Sequence, residues 1–244
     1  MKLFEIITLF PQAFPGTLDF SIFKKSRGKC WNLRVHDMRE FGIGRHKQVD
    51  DEVFGGSAGM LIRPDVIDCA MQHIINRRAK NNINKITESN INSPTERQFT
   101  RKLRKVFLSP RGRLMDQSLV ETWANEESDM LLLCGRYEGV DARAIEHFEF
   151  EEISIGNYIL AGAEVAAMVM MESIVRKIPG VIGNAESFAK ETFVDNEVSE
   201  PRYTRPAVWE THDGNSISVP QIIVSGDHKK IAEFQKSGRK KVEL

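Results

Sequence analysis

Residues Leu131–Gly162 read LLLCGRYEGVDARAIEHFEFEEISIGNYILAG, and this stretch decides the fold. Met130-Leu131-Leu132-Leu133-Cys134 is apolar without alternation, the pattern of a strand buried on both faces of a parallel sheet. It stops at Gly135-Arg136-Tyr137-Glu138-Gly139, where small residues let backbone amides reach a ligand. A second short strand, around Glu152–Ile155, ends at Gly156, and Asn157–Gly162 leads into a long apolar helix. In open parallel sheets ligands sit beyond the carboxyl ends of the strands, so two glycine-bearing loops at strand ends mark a pocket.

A third loop belongs with them. Val106-Phe107-Leu108 reads as a strand that breaks at Ser109-Pro110-Arg111-Gly112. No G-x-G-x-x-G follows a strand and no G-x-x-x-x-G-K-[ST] occurs, so neither a dinucleotide fingerprint nor a phosphate-binding P-loop is encoded. The predicted lining is Leu108, Ser109, Pro110, Gly112, Gly135, Glu138, Ile155, Gly156, Asn157, Tyr158, Ile159, Leu160 and Gly162. It suits an adenine ring held by backbone groups, and the one carboxylate, Glu138, suits a cationic ligand. S-adenosylmethionine, with its sulfonium, meets both demands.

In order along the chain stand ITLFP, LSPRGR, LLLCGRYEGVD, SIGNYILAGAE, RKIPGV, YTRP and SGDH. In this order and spacing the chain resembles the bacterial tRNA (guanosine-37 N1) methyltransferases of the knotted (SPOUT) superfamily. The likeness runs over nearly the whole sequence. It implies an α/β fold with a parallel-sheet domain, a trefoil knot at that domain's C-terminal part, and a small, mainly helical C-terminal domain. It also implies methyl transfer from S-adenosylmethionine to N1 of the guanosine 3′ of the anticodon, a tRNA partner and a homodimer. Mg2+ enters as a further cofactor by the same resemblance, although no site for it is visible in the sequence.

The resemblance places an O6-stabilising arginine at Arg176, before Ile178-Pro179-Gly180. It places the general base in the linker, where the family has Asp followed by Ser-Phe. Counting back from Tyr203-Thr204-Arg205-Pro206 without gaps reaches Glu191, followed by Thr192-Phe193. Glu186, followed by Ser187-Phe188, imitates the motif but requires a gap. Glu for Asp is a departure from the family, because the carboxylate moves out by a methylene. The loop Arg45–Met60 resembles the family's substrate loop, with Val53-Phe54 where Pro-Tyr is common. Arg45 and His46 are candidates for phosphate contacts and Asp50 for a guanine edge, while Gly55 and Gly59 allow close backbone approach.

Composition narrows the class without naming the partner. The chain has 244 residues, 41% of them hydrophobic, enough for a substantial core. Its 34 Lys and Arg balance 34 Asp and Glu, so bulk charge does not announce a nucleic-acid binder. Basic residues nonetheless cluster at Lys24–Arg34, Arg97–Lys105 and Lys229–Lys241, each of which also reads as ordinary solvated surface. The three cysteines, Cys30, Cys69 and Cys134, lie far apart without C-x-x-C spacing and suit buried thiols in a reducing cytoplasm. No apolar run is long enough for a membrane span.

Segmentation follows from periodicity. Leu3–Leu9 and Trp31–Val35 read as strands, Thr17–Ser26 as a helix, and Gly42–Met60 as a glycine-rich loop. Pro64 opens an amphipathic helix, and 76–104 reads as a polar, mobile insertion. The expected units are a cofactor-binding domain over 1–182, a linker over 183–195 and a shortened tRNA-contacting unit over 196–244. Within it, His228–Gln235 is expected as a short helix. Helix Glu164–Lys177 is apolar on nearly every side and is expected to be buried all round, in a core or against another chain. Two other readings stay open: a related knotted methyltransferase with a ribose or another base as target, and a catalytically silent RNA-binding protein. The missing glycine fingerprint disfavours a nicotinamide dehydrogenase.

Overall fold

The protein is described here by a computed structural model covering residues 1–87, 101–183 and 197–241. It divides into two compact units, Met1–Ile182 and Gly183–Leu244.

The first unit is built on a parallel sheet. Its strands are β1 (Lys2–Thr8), β2 (Trp31–Asp37), β5 (Lys102–Leu114), β6 (Ser128–Cys134) and β7 (Glu151–Ser154), ordered β2-β1-β6-β5-β7. All four neighbouring pairs run parallel. Strands β1 and β6 lie inside the sheet and are buried at every position, which is why their sequences lack polar alternation. Helices cover both faces. On one side α3 (Gln117–Asn125) and α5 (Glu164–Lys177) pack on Phe4, Ile6, Val106, Leu108, Leu132 and Ile153. On the other, α2 (Pro64–Thr87) and α4 (Ala142–His147) pack on Ile7, Phe107, Leu131 and Leu133. The period of two along each strand sends alternate residues to opposite layers.

Several expectations change. Strand β5 does not end at Leu108: it leaves the ladder with β7 and rejoins it, since both Leu108 and Arg113 pair with Ile153. The Ser109–Gly112 turn is thus a bulge within one strand, not its terminus. Helix α2 runs to Thr87 and β5 begins at Lys102, so the polar run over 76–104 is helical at its start and strand at its end. At its start the polar side chains Arg77 and Arg78 are half-buried, paired with Glu5 and Asp129, so polar composition there does not mark a loop. The remainder, 88–100, lies outside the described residues. The segment read as one helix over Thr17–Ser26 is a 3-10 turn at Gly16–Asp19 followed by α1 (Ser21–Ser26). Loop 42–60 carries a small antiparallel pair, β3 (Asp50–Glu52) with β4 (Met60–Ile62).

Within the single chain helix α5 is not buried all round, so the expected burial would need another chain to complete it. Ala166, Ala167, Met170, Met171, Ile174 and Val175 are buried, but Val165 and Val169 are 55% and 42% exposed. They are spaced i, i+4 and so form one apolar strip on the helix surface.

Among its described residues the second unit holds short strands beside its helices. It has a hairpin of β9 (Val208–Glu210) with β10 (Ser216–Ser218) and a short pair of β8 (Glu197–Val198) with β11 (Lys240–Lys241). Beside these stand α6 (Gln221–Val224) and α7 (His228–Ser237). The hairpin's signal was present as Asp213-Gly214: Gly214 has φ +85°, and the Thr211 amide donates to the Asn215 carbonyl at 2.8 Å.

Candidate functional site

The bulge within β5 and the carboxyl ends of β6 and β7 open into one cleft of about 350 Å³, within the ordinary size of ligand pockets. Its walls come from Phe107–Arg111, Gly135–Val140, Ser154–Gly156 and Tyr158–Ala163, with Ala166 from the start of α5. Of the residues predicted for the cofactor, Leu108, Ser109, Pro110, Gly135, Glu138, Ile155, Gly156, Tyr158, Ile159, Leu160 and Gly162 line it. Asn157 and Gly112 do not. Asn157 is exposed beside it, and Gly112 packs on β7, where a Cβ would overlap the backbone of Glu152 and Ile153. Gly112 thus lets the β5 bulge press on its neighbour strand.

Small residues keep the cleft open. A Cβ at Gly135 would stand 3.1 Å from the Phe107 ring, and one at Gly162 would overlap the Arg136 guanidinium. Tyr137 has φ +58°, so the loop turns in a conformation most side chains avoid. Ser154 accepts from the Gly156 amide at 3.3 Å and donates to its carbonyl at 3.0 Å, which fixes the turn out of β7. The mouth is apolar, with Tyr158 55%, Ile159 80% and Leu160 40% exposed. An apolar slot rimmed by backbone groups, with the exposed carboxylate of Glu138 at its edge, fits the adenosyl and sulfonium parts of S-adenosylmethionine. Among the described residues no group of three or more His, Cys, Asp or Glu could hold a metal ion.

The reading from sequence missed the ion pair beneath the cleft. Glu164, 2% exposed, opens α5, and its Oε1 accepts from the Thr8 hydroxyl at 2.8 Å. Its Oε2 accepts from Arg136 Nε at 3.1 Å and lies 3.0 Å from Nη2. Arg136 also donates to the Ala161 carbonyl at 3.1 Å and stacks 4.4 Å from the Phe10 ring centre. Burial pushes the neighbouring Cys134 thiol up, and the Glu164 charge adds to that. Glu and Arg lie 28 positions apart in the chain, so no local pattern could have paired them.

The substrate candidates divide. Gly59 meets the site directly: with φ +104°, its Cβ would overlap the Glu138 side chain. Asp50 lies half-buried on β3, and its carbonyl accepts from Gln48 at 2.9 Å. Gly55, with φ +91°, has open space around it. Arg45 and His46 are exposed on the turn closed by the Ile43–Gln48 bridge and do not line the cleft. Arg176 sits in the last turn of α5, half-buried. Glu191 and Glu186 lie outside the described residues.

The comparisons agree with this geometry. Over residues 1–243 the chain matches the family described as tRNA (Guanine-1)-methyltransferase TrmD. It is 39% identical to a tRNA (guanine-N(1)-)-methyltransferase of Ruegeria sp. (strain TM1040), over 98% of this chain and 87% of that protein. A protein of the same name from Ehrlichia canis (strain Jake) is 39% identical, over 93% of this chain and 86% of its own. Another, from Rhodospirillum rubrum, is likewise 39% identical, over 95% and 85%. A match that spans residues 1–243, the three cleft loops and the second unit included, leaves one conclusion: the chain belongs to the tRNA (guanine-1)-methyltransferase family.

Proposed function

We propose that the protein transfers a methyl group from S-adenosylmethionine to N1 of guanosine 37 in tRNA. The observation that carries this reading is the family match over 1–243, together with a cleft formed by the β5 bulge and the loops after β6 and β7.

When bound, S-adenosylmethionine supplies a methyl group on a cationic sulfur. The chain's own residues do the rest. Leu108–Pro110, Gly135 and Ile155–Leu160 hold the adenosyl part through backbone groups, and Glu138 faces the positive charge. N1 of guanine has its lone pair tied up until its proton leaves, and the Glu191 carboxylate is the group proposed to take it. Such a role is worth roughly 10²–10⁴-fold. Negative charge then spreads onto O6, where the Arg176 guanidinium stabilises it. N1 forms its new bond to the methyl carbon as the bond from that carbon to sulfur breaks. No metal ligand set is needed for this scheme, and Mg2+ is assigned no ligands.

Arg45, His46, Asp50, Gly55 and Gly59 belong to the loop proposed to meet the tRNA. Residues 196–244 are proposed to contact the tRNA, and 183–195 to act as the linker carrying the base. The trefoil knot is supported by the family and by how closely the loop after β7 meets the loop after β6, with the Ala163 amide donating to the Gly135 carbonyl at 3.2 Å. A homodimer is supported by the apolar strip of Val165 and Val169 beside the cleft. Among the described residues no helix is long and apolar enough to cross a membrane, and the cytoplasm, where tRNA is found, is the proposed location.

The test is direct. Methyl-labelled S-adenosylmethionine and unmodified tRNA are incubated with the protein, and the labelled nucleoside is mapped. Label on N1-methylguanosine at position 37 supports the reading; label on ribose or another base, or none, overturns it.

A further inference from the structure

Glu164 is a buried carboxylate to which the proposed chemistry gives no task. It could have been a satisfied core residue of no consequence for the cleft, but its partners argue otherwise. Its two oxygens join three segments: the end of β1 through Thr8, the loop after β6 through Arg136, and its own position at the head of α5. Arg136 then reaches the loop after β7 through the Ala161 carbonyl. Arg136 lines the cleft, and Gly162, whose missing side chain leaves room for the guanidinium, lines it too.

We propose that Glu164 is a positioning residue which, by clamping Arg136, holds the two glycine loops in the one arrangement that admits the methyl donor. The clamp never touches the reacting atoms. Glu164 also stands in the first turn of α5, where negative charge meets the positive end of the helix dipole. Arg136 is suited to the task because a planar guanidinium can bind a carboxylate with one edge and a carbonyl with another. Stacking on Phe10 restricts its plane. Without the carboxylate, Arg136 keeps only a carbonyl and a ring, and the two loops lose their common anchor.

The proposal rests on the reading of the cleft as the cofactor site, and the experiment separates the two. Full-length wild type, Glu164→Gln, Arg136→Met and the double variant are titrated with S-adenosylmethionine in a calorimeter, after circular dichroism shows each to be folded. Each single variant should bind about tenfold or more weakly, with the KM for cofactor raised and kcat nearly kept. The double variant should be no worse than the weaker single one, because residues that act as a unit are not additive. A merely structural role would lower the melting temperature and leave cofactor affinity alone. Wild-type affinity in Glu164→Gln, or losses that multiply in the double variant, overturns the clamp while leaving the cleft reading intact. Failure of the wild type to bind removes both. Should Glu164→Gln not fold, Thr8→Val removes the hydroxyl, with its bond to Glu164 and the one it accepts from the Phe10 amide, and should still weaken binding about threefold; unchanged affinity there overturns the proposal.

Discussion

The Glu138 amide donates to the carbonyl oxygen of Met60 at 3.0 Å, which ties the glycine-rich loop of residues 53–60 to the wall of the cleft. Two further bonds continue the seam, Ile62 amide to Gly139 carbonyl at 3.0 Å and Asp141 amide to Ile62 carbonyl at 3.1 Å. At its end Gly59 lies against Glu138 with φ +104°. Gly59→Ala should therefore push the loop off the wall. The expected result is a tRNA KM raised about tenfold with cofactor affinity kept within about threefold, read by steady-state kinetics and calorimetry.

Gly135 should tolerate no branched side chain. Its Cβ would already stand 3.1 Å from the Phe107 ring, and the atoms beyond it would enter the cleft. Gly135→Val is expected to abolish S-adenosylmethionine binding in calorimetry while the protein stays folded by circular dichroism.

The surface strip on α5 separates assembly from folding. Val169 is 42% exposed, so Val169→Glu should split the proposed dimer and leave the protomer's melting temperature within a few degrees. Met168 is half-buried against the core and over Gly16, so a charge there should lower the protomer's own melting temperature, as Val169→Glu should not. Light scattering with thermal melts reads both. A wild type that is monomeric at micromolar concentration contradicts the dimer.

Acid stability should depend on Glu5, which interrupts the apolar β1. Burial would raise its carboxyl, but bonds from His36, Arg77 and Arg78 prevail and hold it at about 2. A depressed carboxylate stabilises the fold above its unfolded pKa and loses that as pH falls toward the folded value. From the ordinary carboxylate range to about 2, the loss is on the order of 3 kcal/mol. Burial raises the Asp129 carboxyl, which opposes part of this trend. Urea midpoints should fall steeply between pH 5 and 2, roughly the window of that shift. Glu5→Gln should flatten the profile and lower stability at pH 7 by about 3–5 kcal/mol, because the arginines lose their partner.

The general base is tested in the linker. Glu191→Gln should leave cofactor binding intact and slow single-turnover methyl transfer by about 10²–10⁴-fold, whereas Glu186→Gln should matter little. Glu191→Asp, which returns the family's residue, should keep or raise the rate. A full rate in Glu191→Gln with a collapse in Glu186→Gln would transfer the role to Glu186.

From sequence alone, the parallel-sheet class could be read at β6, where Met130–Cys134 is the unbroken apolar run that a strand buried on both faces leaves. The three loops of the cleft were legible too, since glycine and proline mark where a strand must stop or bulge. Periodicity ran out where structure is set by distant partners. Helix α2 continues through a polar segment, and the hairpin at Asp213-Gly214 hid in a stretch with few apolar residues. Only the tertiary structure paired Thr8, Arg136 and Glu164, or Glu5 with Arg77 and Arg78. Each of those bonds joins side chains 28 or more positions apart, and a charge in a sequence carries no mark of the partner that burial will require of it.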